Sequence, residues 1–161
     1  MSKARRKKER TPVNLNHVYT LLNPVSRALM VNRWKTDAVE GQIHALIGGD
    51  GLQMVNGAGR VFFVVLTAAV QQGEDVESPD MRILRGAIEA LHEQAEDQEV
   101  SEICRAGILS GLNACSRILP SLRQRSLADA ALEMEVMLAN GDVRYSDFTD
   151  LIHAAKETSH A

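Results

Sequence analysis

Lys3, Arg5, Arg6, Lys7, Lys8 and Arg10 place six cations within eight positions, interrupted only by Ala4 and Glu9. The chemistry of such a run is electrostatic. Each ammonium or guanidinium that neutralises a phosphate releases condensed counterions, and this drives sequence-independent binding to DNA or RNA. No aromatic side chain is interleaved, so base stacking is not indicated and the segment would anchor without specifying sequence. Setting aside those six cations and Glu9 leaves 12 Lys/Arg against 20 Asp/Glu, so a body near −8 carries an arm near +5. The alternative for the arm is a solvated tail, or one that touches an acidic partner, its own body included.

Several other spacings imitate chemistry. Glu89-x-x-His92 and Asp150-x-x-His153, with Glu40 and Glu133 or Glu135 on other helices, follow the order of a di-iron bundle. Metal ligands in a bundle must point inward, and at about 100° per residue Glu89 falls some 160° from the apolar arc centred on Leu91. Asp150 is turned away from Phe148, Ile152 and Ala155 by a similar angle, so surface charge is the expectation and no metal or other cofactor is assigned. Residues 140–148 echo the second half of a calcium loop, but aligning Gly141 with the loop glycine puts Val136 and Leu138 where carboxylates belong. Asn56-Gly-Ala-Gly-Arg60 before an apolar run reads as a helix-capping turn rather than a phosphate cradle, with no strand evident before it. No serine sits in a G-x-S-x-G elbow, and His17, His44 and His92 lie at helix face boundaries. No catalytic residue is assigned, and a non-enzymatic protein is expected.

The elements that carry these residues read as helices. Aromatics are 4% of the chain, so the core must be aliphatic, and Ala, Leu and Met favour helix packing. After an arm over 1–12, expected to be disordered, residues 13–161 read as a single helical domain. Asn14 can cap a short helix, Asn23-Pro24 opens a second running to about Trp34, and Thr36 or Asp37 caps a third that stops at Gly48-Gly49. Val61 to Val70 is apolar all round; periodicity cannot separate buried strand from buried helix, but a lone strand would lack a pairing partner. A central buried helix is therefore predicted. Ser78-Pro79 starts the next, striped by Leu84, Ala87, Ile88, Leu91 and Ala95. Ser101 begins another with Ile103, Gly107, Ile108, Gly111, Cys115 and Ile118 on one face. Ser126 caps Leu127 to Ala139, stopped by Asn140-Gly141, and Ser146 opens the last through Phe148, Leu151, Ile152 and Ala155. The fold class is all-α, a compact bundle of about seven or eight helices, some short.

Cys104 and Cys115 lie eleven residues apart on one helix. That is about 16 Å of rise, too far for a disulfide, so both read as small buried apolar residues in a reducing, cytoplasmic setting. The longest apolar run is too short to span a bilayer, and no signal peptide pattern follows the basic start, so no membrane association is expected.

Two surfaces suggest partners. The helix from Ser126 carries Leu127, Ala131, Met134 and Leu138 on one side and Leu132 and Val136 on the other, with Met137 adding adaptable surface. A helix apolar on two sides is either central or part of an interface, and a two-fold homodimer is the expected assembly. Residues 74–102 hold ten acids against two arginines, with Glu89, Glu93 and Glu96 offered as a face for a basic protein partner. The leading expectation is an accessory protein tethered to nucleic acid by its arm, its body binding itself or a partner. The rival is an acidic adaptor or inhibitor of the bacterial or phage kind.

Overall fold

The computed structural model describes residues 51–94 and 99–159, together with the helical positions Asn32 and Thr36. The basic run from Lys3 to Arg10, the helices expected before residue 49, and Glu96 all lie outside the described residues. Thr36 is itself helical and its hydroxyl donates to the Asn32 carbonyl at 3.0 Å, four residues back. Thr36 is therefore a helical residue bonded one turn back, and Asp37, the alternative cap, lies outside the described residues.

Among the described residues there are five α-helices and no strand: α1 Gly51–Gln72, α2 Pro79–Glu93, α3 Glu102–Ile118, α4 Gln124–Ala139 and α5 Tyr145–Ser159. A single 3₁₀ turn, Leu119–Ser121, joins α3 to α4. No helix is long and apolar enough to cross a membrane, among the described residues.

The run Val61 to Val70 is helical and forms the middle of α1. Every residue from Val61 to Ala69 is buried, because α3, α4, α2 and α5 all pack around it. A helix enclosed on all sides has no solvent face to make polar, and this explains the run without a sheet. The helix begins earlier than the glycine-rich spacing implies, taking in Gly57 and Gly59. Its end is a Schellman motif: Gly73 adopts φ +86°, its N–H bonds the Val70 carbonyl, and the Glu74 N–H bonds the Ala69 carbonyl.

Thr67 sits within this core, 1% exposed, and its hydroxyl has no hydrogen-bond partner. A buried hydroxyl left unpaired is destabilising by about 1–3 kcal/mol. Thr67→Val should accordingly raise stability by about 1 kcal/mol, read as a higher midpoint in thermal or urea unfolding. An unchanged or lower midpoint contradicts this account of the site.

Helix starts follow local capping chemistry, with two departures. Ser101 caps α3 as expected, its hydroxyl accepting the Cys104 N–H at 3.1 Å. Ser78 has cap geometry and Pro79 follows, but its side chain makes no capping bond. Arg123, not Ser126, precedes α4, where Gln72 accepts the Arg123 N–H through its side-chain oxygen at 2.7 Å. At α5 the Asp147 carboxylate reaches back to the Arg144 N–H at 2.7 Å, the reciprocal half of a capping box, and the helix opens one residue before Ser146.

The tightest contact is between antiparallel α2 and α3. Gly111 lies against Ala87 and the Phe62 ring, and Gly107 against Ala90. The small-residue stripe of α3 is therefore used inside the molecule. Ile103 departs from the expected buried face and is 79% exposed, while Cys104 beside it is buried. The register that sets Gly107 against Ala90 brings Ile103 opposite Gln94, where α2 has already ended.

Candidate functional site

The two cysteines are free and buried on α3, and burial pushes both thiols up from their ordinary range. A thiol held protonated and covered is a poor nucleophile.

Most described cations are engaged by carboxylates of the same fold. Arg60 on α1 donates to Asp142 in the α4–α5 connection at 2.9 Å, Arg117 on α3 to Asp80 at the start of α2 at 2.7 Å, and Arg125 lies 3.9 Å from Asp129. Glu77, in the loop before α2, gathers Arg85 at 2.8 Å, Lys156 at 3.2 Å and Arg82 at 3.4 Å. Bonds from Arg85 and then Lys156 hold its carboxyl below the usual range.

Asp142 is a case with opposed causes. Partial burial raises its carboxyl, but the bond from Arg60, the Val143 N–H and the Arg60 charge together bring it below the ordinary 3.8. A lowered folded value means the pair stabilises above the unfolded pKa and is lost as pH falls through the folded one. Both side chains are more than a third exposed, so Arg60→Met should cost less than about 1 kcal/mol at neutral pH. The difference between variant and parent should shrink as unfolding is repeated at falling pH, through the unfolded and then the lowered folded value of Asp142; a difference that does not shrink points to lost packing instead.

The acidic stretch divides in two. Glu77 and Asp80 are occupied by the ion pairs above, whereas Glu89 and Glu93 are exposed on the C-terminal half of α2. The side of α4 carrying Leu127, Ala131 and Met134 is buried, and Met137 and Leu138 pack half-buried against the same core. Leu132 and Val136, on the other side, are half-buried and stand outside that cluster. Glu133 receives a long bond from Gln71 at 3.5 Å; partial burial, then the charge of Asp147, raises its carboxyl. Among the described residues, no three His, Cys, Asp or Glu side chains gather as a metal ion would require.

The carboxylate–histidine spacings belong to a different feature. α2 and α5 run antiparallel and stand apart, leaving a half-open cleft of about 230 Å³ between them. Its floor is Ile88, Phe148 and Ile152; Arg85 and Glu89 form the α2 wall, and Thr149, His153 and Lys156 the α5 wall. Lys156 and Arg85 meet Glu77 at one end, and Tyr145 stacks on His92 at the other, with ring centroids 3.8 Å apart. Phe148 is fixed from beneath by an edge-on contact with Phe63, 5.6 Å between centroids.

No family of known proteins, no curated protein and no solved structure matches this chain.

The cleft escaped sequence reasoning because its members come from two helices more than fifty residues apart. The i, i+3, i+4 spacing of Tyr145, Phe148, Thr149, Ile152, His153 and Lys156 was the available signal, since it puts six unlike side chains on one helical face.

Proposed function

We propose that this chain is a non-enzymatic accessory protein that holds nucleic acid, without regard to sequence, through Lys3, Arg5, Arg6, Lys7, Lys8 and Arg10. The helical body associates with itself or with a partner. The observation that carries the reading is the segregation of charge, near +5 over ten residues and near −8 over the remainder. The ion pairs of the body support it. Arg60, Arg82, Arg85, Arg117, Arg125 and Lys156 are already answered by carboxylates, so the concentrated positive charge lies in the N-terminal run. The half-buried Leu132 and Val136 are the apolar surface offered for a two-fold contact, and the two unpaired cysteines suit a cytoplasmic setting.

The experiment is a pull-down with the full chain and a form lacking residues 1–10, at low and high salt, with and without nuclease. Nucleic acid retained by the full chain at low salt only, and lost on deletion, is the expected result. Equal retention by both forms removes the proposal.

The exposure of Glu89 and Glu93 favours a second reading, an acidic adaptor for a basic protein. On that reading the pull-down recovers a protein that survives nuclease, and charge reversal at both positions slows its association at low ionic strength.

A further inference from the structure

We infer that the cleft between α2 and α5 is a binding site for a small linear carboxylate, the acid group held by Arg85 and Lys156 and the apolar chain laid over Ile88, Ile152 and Phe148. The fold itself supplies an anion in the required position. One oxygen of Glu77 lies 2.8 Å from Arg85 Nη1 and 3.2 Å from Lys156 Nζ, and both cations line the cleft. Arg85 also donates to the Val76 carbonyl at 3.3 Å, which orients its guanidinium whether or not Glu77 is present. Glu77 comes from a connecting loop and its side chain is exposed, so an incoming carboxylate exchanges one solvated ion pair for another at little cost. The apolar floor then decides the balance in the ligand's favour.

The remaining charges set the orientation. Glu89 stands on the α2 wall one turn beyond Arg85, and repels an acid group anywhere but at the Arg85–Lys156 end. His153 is engaged by Glu157 at 3.2 Å and adds little at that end. From Lys156 to Tyr145 the cleft runs about three helical turns, roughly 16 Å, and the stacked His92 and Tyr145 rings close its far end. At about 230 Å³ it falls below the roughly 300–1,000 Å³ of pockets that take drug-sized ligands, so a short chain is the fitting occupant.

The test is a titration of the isotope-labelled full chain with octanoate, followed by amide correlation spectra, with octanamide as the neutral match. Octanoate should shift the amides of residues 85–92 and 145–156, and bind about tenfold more tightly than octanamide. Glu77→Gln removes the internal competitor and should tighten octanoate by about threefold, whereas Lys156→Met should weaken it by about fivefold. Both positions are on the surface, and an unchanged far-UV spectrum verifies each fold. Equal binding of acid and amide overturns the inference, as do shifts that map elsewhere. So does a Glu77→Gln variant that binds octanoate no better than the parent. None of these outcomes bears on nucleic acid binding by the N-terminal run.

Discussion

Gly111→Leu should remove a large part of this protein's folding stability. A side chain at that position enters the space of two groups that cannot withdraw. The first Cβ would overlap the ring of Phe62, which is fully buried in central helix α1, and would press on the Cβ of Ala87 across the α2–α3 contact. Ala87 has no rotamer to change, so either the helices separate or Phe62 is expelled. Overpacking of a tight core typically costs 1–3 kcal/mol, and leucine, with three carbons beyond that Cβ, should cost about 3 kcal/mol or more. Domains of this size are stable by only about 5–15 kcal/mol, and each kcal/mol moves the melting midpoint by roughly 3 °C. A fall of about 10 °C is therefore expected in thermal unfolding followed by circular dichroism. Gly86, on the open side of α2 with nothing within 4 Å of where a Cβ would sit, supplies the contrast. Gly86→Ala should stabilise by about 0.5–1 kcal/mol, through helix propensity and a stiffer unfolded chain. If Gly111→Leu gives no soluble protein, Gly111→Ala should still show a graded loss beside the Gly86→Ala gain. Midpoints within a degree of the parent for both Gly111 variants would mean that the α2–α3 contact is looser than described.

That contrast also marks how far the sequence could be read. Gly107, Gly111 and Cys115 recur every four residues, a spacing of small side chains that allows a close helix approach, but periodicity along one helix does not say which helix approaches. The register against Ala87 and Ala90 needed the fold. The apolar stripes of α2, α4 and α5 were legible because one face of each meets a common core and 3.6-residue spacing records this directly. Helix α1 was legible only by elimination, since a helix buried all round leaves no periodic trace. Its true start was hidden by Gly57 and Gly59, residues that ordinarily signal a turn. Ile103 was misplaced for a related reason: a helical face predicts burial only as far as the neighbouring helix extends, and α2 ends before reaching it.

The candidate sites divide along the same line. Charge composition is additive along a chain, so the opposition of basic run and acidic body needs no fold. Whether a carboxylate is exposed or already satisfied does need one. Glu77 and Glu89 look alike in sequence, yet one closes a three-cation cluster and the other walls a cleft. The side chains of Glu89-x-x-His92 and Asp150-x-x-His153 are all exposed. The helices that carry them still meet along a cleft that uses Glu89 and His153.

The central claim of the proposed function is that attraction for nucleic acid resides in the first ten residues. It is tested most directly by the salt dependence of binding to a short fluorescent duplex of arbitrary sequence, measured by anisotropy for the full chain and for the form lacking those residues. Six phosphate contacts on a duplex should give the full chain a log–log slope of about −5, so affinity falls about a thousandfold between about 50 and 200 mM salt. The shortened form, with a body near −8, should show no measurable binding even at the lower salt. A shortened form that keeps the affinity and slope of the full chain, or a full chain that does not bind at low salt, contradicts the account.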